Sequence, residues 1–424
     1  MDQQFKKQFV EYRDQDQLAA VCSELQQLPP LVTAAEVKAL QNDLAQAAAG
    51  RRFLLQLGDC AEQFSECSQT VVQNKINLFS ACAKEIDQQK KLPVTILARI
   101  AGQYAKPRSQ ATQTVDGVEM LTYRGDLING APATAQAREA DPRRLLQGVQ
   151  YSALTLNYLR SHMQELSLSQ SWLNDTNSKR SNTSSNSDLF TVTAPYPFFT
   201  SHEALSMDYE QALTHQVGDK RFNLGAHFLW VGMRTAAINS PACDYLASIS
   251  NPIGLKVGID QINSDLLKVL DKLDPDNIAG RLTLITRLGS DNAAEAEKLV
   301  RMVNDSGRRH LWLCDPMHGN TKSLGAYKTR YIDDMHAEIS GQMAAHERCG
   351  SHLGGLHLEA TGCDVTECVG VNVEANVESL ERNYATAVDP RLNLAQATQL
   401  LRRSLKTNES VNSTTLTPTT ESVE

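Results

Sequence analysis

The sequence predicts a (β/α)8 barrel, and three observations carry that prediction. Eight short apolar, partly β-branched runs recur from Phe53 onward, a longer helical or irregular stretch follows each, and ionisable residues gather just past each run's C-terminal end. Near-continuous apolar strands alternating with helices are what a parallel sheet covered on both faces requires. A doubly wound open sheet would show the same bias of charge toward strand ends, but the count of eight favours a closed ring.

The elements follow in order. Residues 15–50 read as two helices broken at Pro29-Pro30, the second ending at Gly50, so that 1–52 forms a short helical N-terminal extension. The barrel is expected over 53–403. Its strands are FLLQL before Gly58-Asp59-Cys60, VTILA before Arg99, FFT before Ser201-His202-Glu203, HFLWVG before Arg234, IGL before Lys256, LTLIT before Arg287, LWLC before Asp315, and LHL before Glu359. Residues 167–188 are rich in Ser and Asn and read as an exposed loop, and 404–424, almost free of large apolar residues, read as a disordered tail.

The composition narrows the function classes. A net charge of −8 argues against nucleic acid as partner. Nine cysteines with no CxxC pairing, behind a polar N-terminus without an apolar leader, point to free thiols in a reducing, cytoplasmic setting. No run reaches the length of a membrane span.

Two sets of residues could carry chemistry. Cys60, His318 and Glu359 follow strand-like runs and, with Asp389, form a mixed thiol, imidazole and carboxylate set suited to Mn, Co, Zn or Fe. Each alone is more often a buried or capping residue; the shared strand-end position is what singles out the set. The second set is cationic: Arg99, Lys106, Arg108, Arg234, Lys256 and Arg287. Several of these abut apolar runs, where a charge is costly unless it faces a wet cavity, and together they suit a polyanionic substrate.

The segments LLQLGDCAEQF (54–64), ARIAGQYAKPRS (98–109), YRGDLING (123–130), FTSHEAL (199–205) and AHFLWVGMRT (226–235) resemble the type II, plant-like 3-deoxy-D-arabino-heptulosonate 7-phosphate (DAHP) synthases. So do NPIGLKVG (251–258), GRLTLITRLG (280–289), CDPMHGNT (314–321), HLEATGCDVTEC (357–368) and DPRLN (389–393). The resemblance implies a TIM barrel that condenses phosphoenolpyruvate with erythrose 4-phosphate at the entry to aromatic biosynthesis. It implies Cys60, His318, Glu359 and Asp389 as ligands of a divalent metal (Mn, Co or Zn). Arg99, Arg234, Lys256 and Arg287 would clamp phosphoenolpyruvate, and Lys106, Arg108 and Ser109 would hold the aldose phosphate. Lys106, Glu203 and Lys256 are the implied catalytic groups, and a homo-oligomer is expected.

Three positions depart from the family pattern. Leu57 replaces a glycine before the Gly-Asp-Cys turn, Met233 replaces an acidic residue before Arg234, and Val369-Gly370-Val371 replaces a Gly-Gly pair. Leu57 and Met233 leave open a catalytically weakened regulatory homologue, and the KPRS region leaves open another aldose. The brief N-terminal preface points to weak or absent feedback inhibition by aromatic amino acids, and the short chain leaves open a paralogue feeding secondary metabolism.

Overall fold

The computed structural model describes residues 10–108, 110–115, 117–178, 196–232, 235–386 and 388–406, the side chains of 163–178 and 293 excepted. All eight apolar runs are barrel strands: β1 (Phe53–Gly58), β2 (Val94–Arg99), β3 (Phe198–Glu203), β4 (Phe228–Val231), β5 (Ile253–Val257), β6 (Leu282–Thr286), β7 (Leu311–Cys314) and β8 (Gly355–Glu359). They pair in parallel in chain order, and β8 closes on β1.

Among the described residues nine longer helices accompany them: α1 (Gln15–Leu25), α2 (Ala34–Ala48), α3 (Gln69–Lys90), α4 (Arg143–Ser178), α5 (Pro241–Ser248), α6 (Ser264–Leu273), α7 (Ala293–Asp305), α8 (Ile332–Arg348) and α9 (Leu394–Leu405). Where a loop was expected over 167–188, α4 continues to Ser178; SLSQSWLNDTNS contains no glycine or proline to stop a helix already propagating. Residues 179–188 lie outside the described residues. At the other end α9 runs past the expected boundary at 403 and buries Leu405, because its apolar positions 397, 400, 401 and 405 keep helical spacing against the core. Among the described residues no helix is long and apolar enough to cross a membrane.

The strand alternation sorts side chains into two cores. Leu55, Leu57, Ile96 and Ala98 point out to the helices, whereas Leu54, Leu97, Phe228, Trp230, Ile285 and Leu313 fill the barrel. The bottom is closed by α2. Thr33 and Glu36 form a reciprocal capping box that starts it, and Leu40, Leu44 and Ala47, on one helical face, join the same interior cluster. The second helix of the N-terminal extension is therefore the floor plug of the barrel. Apolar residues thus dominate the lower interior, and charged ones stand at or next to the strand ends: Arg99, Glu203, Lys256 and Glu359.

Closure at the top depends on Gly58. Register places Gly58 between Arg99 of β2 and Glu359 of β8, and a Cβ there would stand 2.5 Å from the Arg99 carbonyl oxygen at φ +151°. Leu57, by contrast, is fully buried in the outer layer. Its side chain therefore leaves the turn beside Cys60 undisturbed.

The Val369-Gly370-Val371 loop closes on itself through Gly370 and Val373. Val369 packs with Val373 and Leu380, but Val371 is held at φ +60°, a left-handed conformation that its branched Cβ disfavours.

Two outcomes follow for stability. Leu57→Ala should lower unfolding free energy in urea by about 2–5 kcal/mol through loss of buried volume, with no change in divalent-metal affinity; a weakened affinity would mean that Leu57 does reach the site. Val371→Gly should raise unfolding free energy by about 1 kcal/mol by removing left-handed strain, read from the same denaturation midpoint.

Candidate functional site

The strand ends and the loops beyond them surround a cavity of about 520 Å³ whose walls include Lys106, Arg108, Glu203, Lys256, Arg287, His318, Lys328 and Asp389. Most of the residues singled out from sequence thus meet at one place. Cys60, Arg99 and Glu359 lie buried just beneath it. Ser109, Met233 and Arg234 lie outside the described residues.

Donor atoms of Cys60, Glu359 and Asp389 all fall within 4.8 Å of one another, although 329 residues separate the first from the last. His318 joins them, its Nε2 lying 3.1 Å from Glu359 Oε1. The opposite ring nitrogen, Nδ1, is 2.7 Å from Asp315 Oδ2. A carboxylate behind one imidazole nitrogen fixes the tautomer that leaves the other free to ligate.

The Glu359 carboxylate is completely buried, and its two oxygens have different partners. Oε2 accepts from Arg330 Nη1 at 2.8 Å, whereas Oε1 faces Arg99 Nη2 at 3.1 Å, Lys106 Nζ at 3.3 Å and His318. Burial opposes its charge, yet His318, Lys106, Arg330 and Arg99 hold it well below the usual carboxylate range. Burial pushes the Cys60 thiol up to about 12, with Glu359 adding to the shift and Lys106 opposing it. The Lys106 ammonium contacts Cys60 Sγ as well as Asp389 Oδ2, the latter at 3.0 Å. Burial disfavours its charge, but Cys60, Glu359 and Asp389 outweigh burial and the net shift is upward.

These four donors fit a divalent cation: they mix sulfur, nitrogen and carboxylate oxygen, they carry oriented partners behind them, and a cationic group already sits among them. Asp315 also accepts from Lys256 Nζ at 2.9 Å, so one carboxylate serves both the imidazole and a cavity cation. Burial lowers the Lys256 pKa and Asp315 partly restores it. Arg287 donates Nη2 to the His318 carbonyl at 2.8 Å. Glu203 has room because β4 is followed by Gly232, where a Cβ would lie 2.3 Å from Glu203 Oε1.

Arg99 is placed differently from a cavity-wall clamp. It is 2% exposed, and its guanidinium donates to the Asp59 and Cys60 carbonyls at 3.0 and 2.9 Å. Its Nη1 reaches His357 Nε2 at 2.6 Å, which leaves the His357 Nδ1 proton for Gln56 Oε1 at 2.6 Å. Burial drives the His357 pKa well down, with Lys256 adding to the effect, consistent with a neutral ring accepting from arginine.

Sequence reasoning missed a further layer. Asp59 is bridged by Lys75 at 2.8 Å and by Arg391 at 2.8 Å, and Arg391 also holds Glu367 at 2.8 Å. One end of this network precedes Cys60 and the other follows Asp389, so it ties the two ligand loops together. Lys75 lies in the middle of α3 and Arg330 on the hairpin Thr321–Leu324/Tyr327–Arg330. Neither adjoins the end of a barrel strand, so the positional signal that marked the others was absent. Arg391 stood inside the quoted DPRLN motif, but nothing local distinguished it.

The sequence profile of the class-II DAHP synthetase family matches residues 1–191 and 176–402. The chain is 38% identical over 421 residues to a phospho-2-dehydro-3-deoxyheptonate aldolase of Streptomyces coelicolor, covering 92% of each. It is 37% identical over 440 residues to one of Neurospora crassa, covering 93% of this chain and 90% of that one. The solved structure of phospho-2-dehydro-3-deoxyheptonate aldolase from Francisella tularensis shares the fold, with TM-score 0.52, 12% identity and coverage of 92% and 95%.

Removing one member of the buried network tests its role. Arg391→Gln should cost about 3–5 kcal/mol of unfolding free energy, because Asp59 and Glu367 lose a buried counter-ion. Divalent-metal affinity should fall with it; an unchanged affinity in the folded variant would show that the network does not position the ligand loops.

Proposed function

The chain belongs to the class-II DAHP synthetase family, and we propose that it condenses phosphoenolpyruvate with erythrose 4-phosphate, giving DAHP and inorganic phosphate. The observation that carries this reading is the joint presence, at one barrel mouth, of the Cys60, His318, Glu359 and Asp389 donors and a wall bearing Lys106, Lys256 and Arg287.

In the reaction C3 of phosphoenolpyruvate bonds to the aldehyde carbon of the tetrose, water adds at C2, and the bond from C2 to the bridging oxygen breaks, so that this oxygen leaves with the phosphate. When bound by the four donors, a divalent metal (Mn, Co or Zn) supplies Lewis acidity for the aldehyde oxygen. Lys256 and Arg287 hold the carboxylate and phosphate of phosphoenolpyruvate, and fixed cations there cost no reorganisation as charge develops on the leaving phosphate. Arg108, with Ser109 and Lys106 of the same segment, binds the phosphate of the tetrose, and Arg234 completes the phosphoenolpyruvate clamp. Arg99 acts from below, keeping the Cys60 carbonyl and the Glu359 carboxylate in place. Glu203, on the cavity wall with its backbone N–H bound to Gln103 Oε1 at 3.0 Å, is positioned to exchange a proton with the water that adds at C2.

The retained donors and cavity cations favour turnover over a purely regulatory role. Protein stripped with EDTA should consume no phosphoenolpyruvate in the presence of erythrose 4-phosphate, and Mn, Co or Zn added back singly should restore consumption. His318→Ala should lower metal-restored kcat/KM by about 100-fold or more. Turnover that persists at full rate after stripping, or in the variant, would overturn the assigned ligand set.

A further inference from the structure

Lys106 stands on the boundary between the ligand cluster and the substrate cavity. Its ammonium contacts Cys60 Sγ, Glu359 Oε1 and Asp389 Oδ2, which are the clustered donor atoms themselves. The same residue lines the substrate cavity beside Pro107 and Arg108. Carboxylate and thiolate ligands hold first-row cations at about 2.0–2.3 Å, so an ammonium resting on three of them occupies the space such a cation needs. Repulsion between two cations in one buried seat is unscreened.

We propose that Lys106 is an internal counter-ion that competes with the divalent metal for this seat and swings into the substrate cavity when the ion binds.

Three features make the exchange feasible. First, Lys106 lies in the irregular segment after β2, and its own backbone N–H is tied to the Arg124 carbonyl at 2.9 Å. The backbone can therefore stay put while the four-carbon stem reorients. Second, the neighbouring cations cannot substitute for it. Arg99 is committed to Asp59, Cys60, His357 and Glu359, and Arg330 to Glu359, Pro390 and Thr321. Third, the cavity that Lys106 lines gives its ammonium room beside the ligand cluster, where a phosphorylated substrate, once bound, would offer it an anionic partner. Metal binding would thereby deliver a positive charge to the place where phosphorylated substrates dock.

Thermodynamic linkage sets the sign of the test. A group that stabilises the protein only without the ion weakens metal affinity, and removing that group strengthens it. The inference rests on the metal-ligand assignment above, so the wild-type protein is titrated first. Mn2+ affinity is measured calorimetrically on the full-length protein and on Lys106→Met and Lys106→Gln. Cd2+ titration, read by the thiolate charge-transfer band, reports whether the ion is on Cys60. Both variants should bind Mn2+ about tenfold or more tightly than wild type. The metal-induced rise in Tm should also be larger in the variants, because only their ion-free form has lost an internal partner. Either variant, shown folded by circular dichroism, suffices. Affinity equal to or weaker than wild type overturns the counter-ion role while leaving the ligand set standing. Absence of binding to wild type, with no thiolate band, overturns the ligand set and this inference with it.

Discussion

A carboxylate shut away from water must be matched by positive charge or give up its own. Glu359 sits at that limit, with no exposure and with Arg99, Arg330, Lys106 and His318 around it. Those four come from β2, a surface hairpin and the loops after β2 and β7. Only a closed barrel, with β8 brought against β1 and β1 against β2, sets them around one carboxylate. Gly58 makes that closure tight enough, because β1 must pass the Arg99 backbone with nothing on its own Cα.

The apolar part of the molecule supports this arrangement by being unequal from bottom to top. Leu40, Leu44 and Ala47 of α2 seal the lower mouth, and Phe228, Trp230, Ile285 and Leu313 fill the middle. The polar residues stand on this packed column, Arg99 directly so, with its guanidinium 5.3 Å from the centroid of the Trp230 ring. A shift in the lower layers would be transmitted upward, since close-packed interiors have little free volume to absorb it. The ionic network of Asp59, Lys75, Arg391 and Glu367 performs the corresponding task at the side, joining loops from the two ends of the barrel sequence.

The fold was legible because strands buried on both faces leave continuous apolar runs, and all eight were where those runs stood. Side chains at the last strand positions, such as Lys256 and Glu359, were legible for the same reason: a charge at the end of an apolar run is conspicuous. Gln56 and His357 were not, because each is a single polar residue inside a run that still reads as apolar. Their meaning appears only when β1 and β8 lie side by side and the two side chains meet. Lys75 and Arg330 were illegible because helices and hairpins carry such residues on solvent-facing surfaces as a matter of course, and only tertiary packing buries these two. The helical course of 167–178 was misjudged from composition: Ser and Asn weaken a helix residue by residue but do not stop one without glycine or proline.

The distribution of arginine and lysine around the ligand cluster follows from what each can do. Arginine offers several donors in a rigid plane, so at Arg99 and Arg330 it can bind backbone carbonyls and a carboxylate together and act as a fixed strut. Lysine offers one compact charge on a flexible stem. At 106, where a cation faces the donor cluster on one side and the substrate cavity on the other, a strut would block the seat permanently, whereas a lysine can vacate it. The same reasoning extends to Lys256, which shares Asp315 with His318 yet faces the cavity. Beside the donor cluster, then, the charges that must stay are Arg99 and Arg330, and the charge that must answer to a ligand is Lys106.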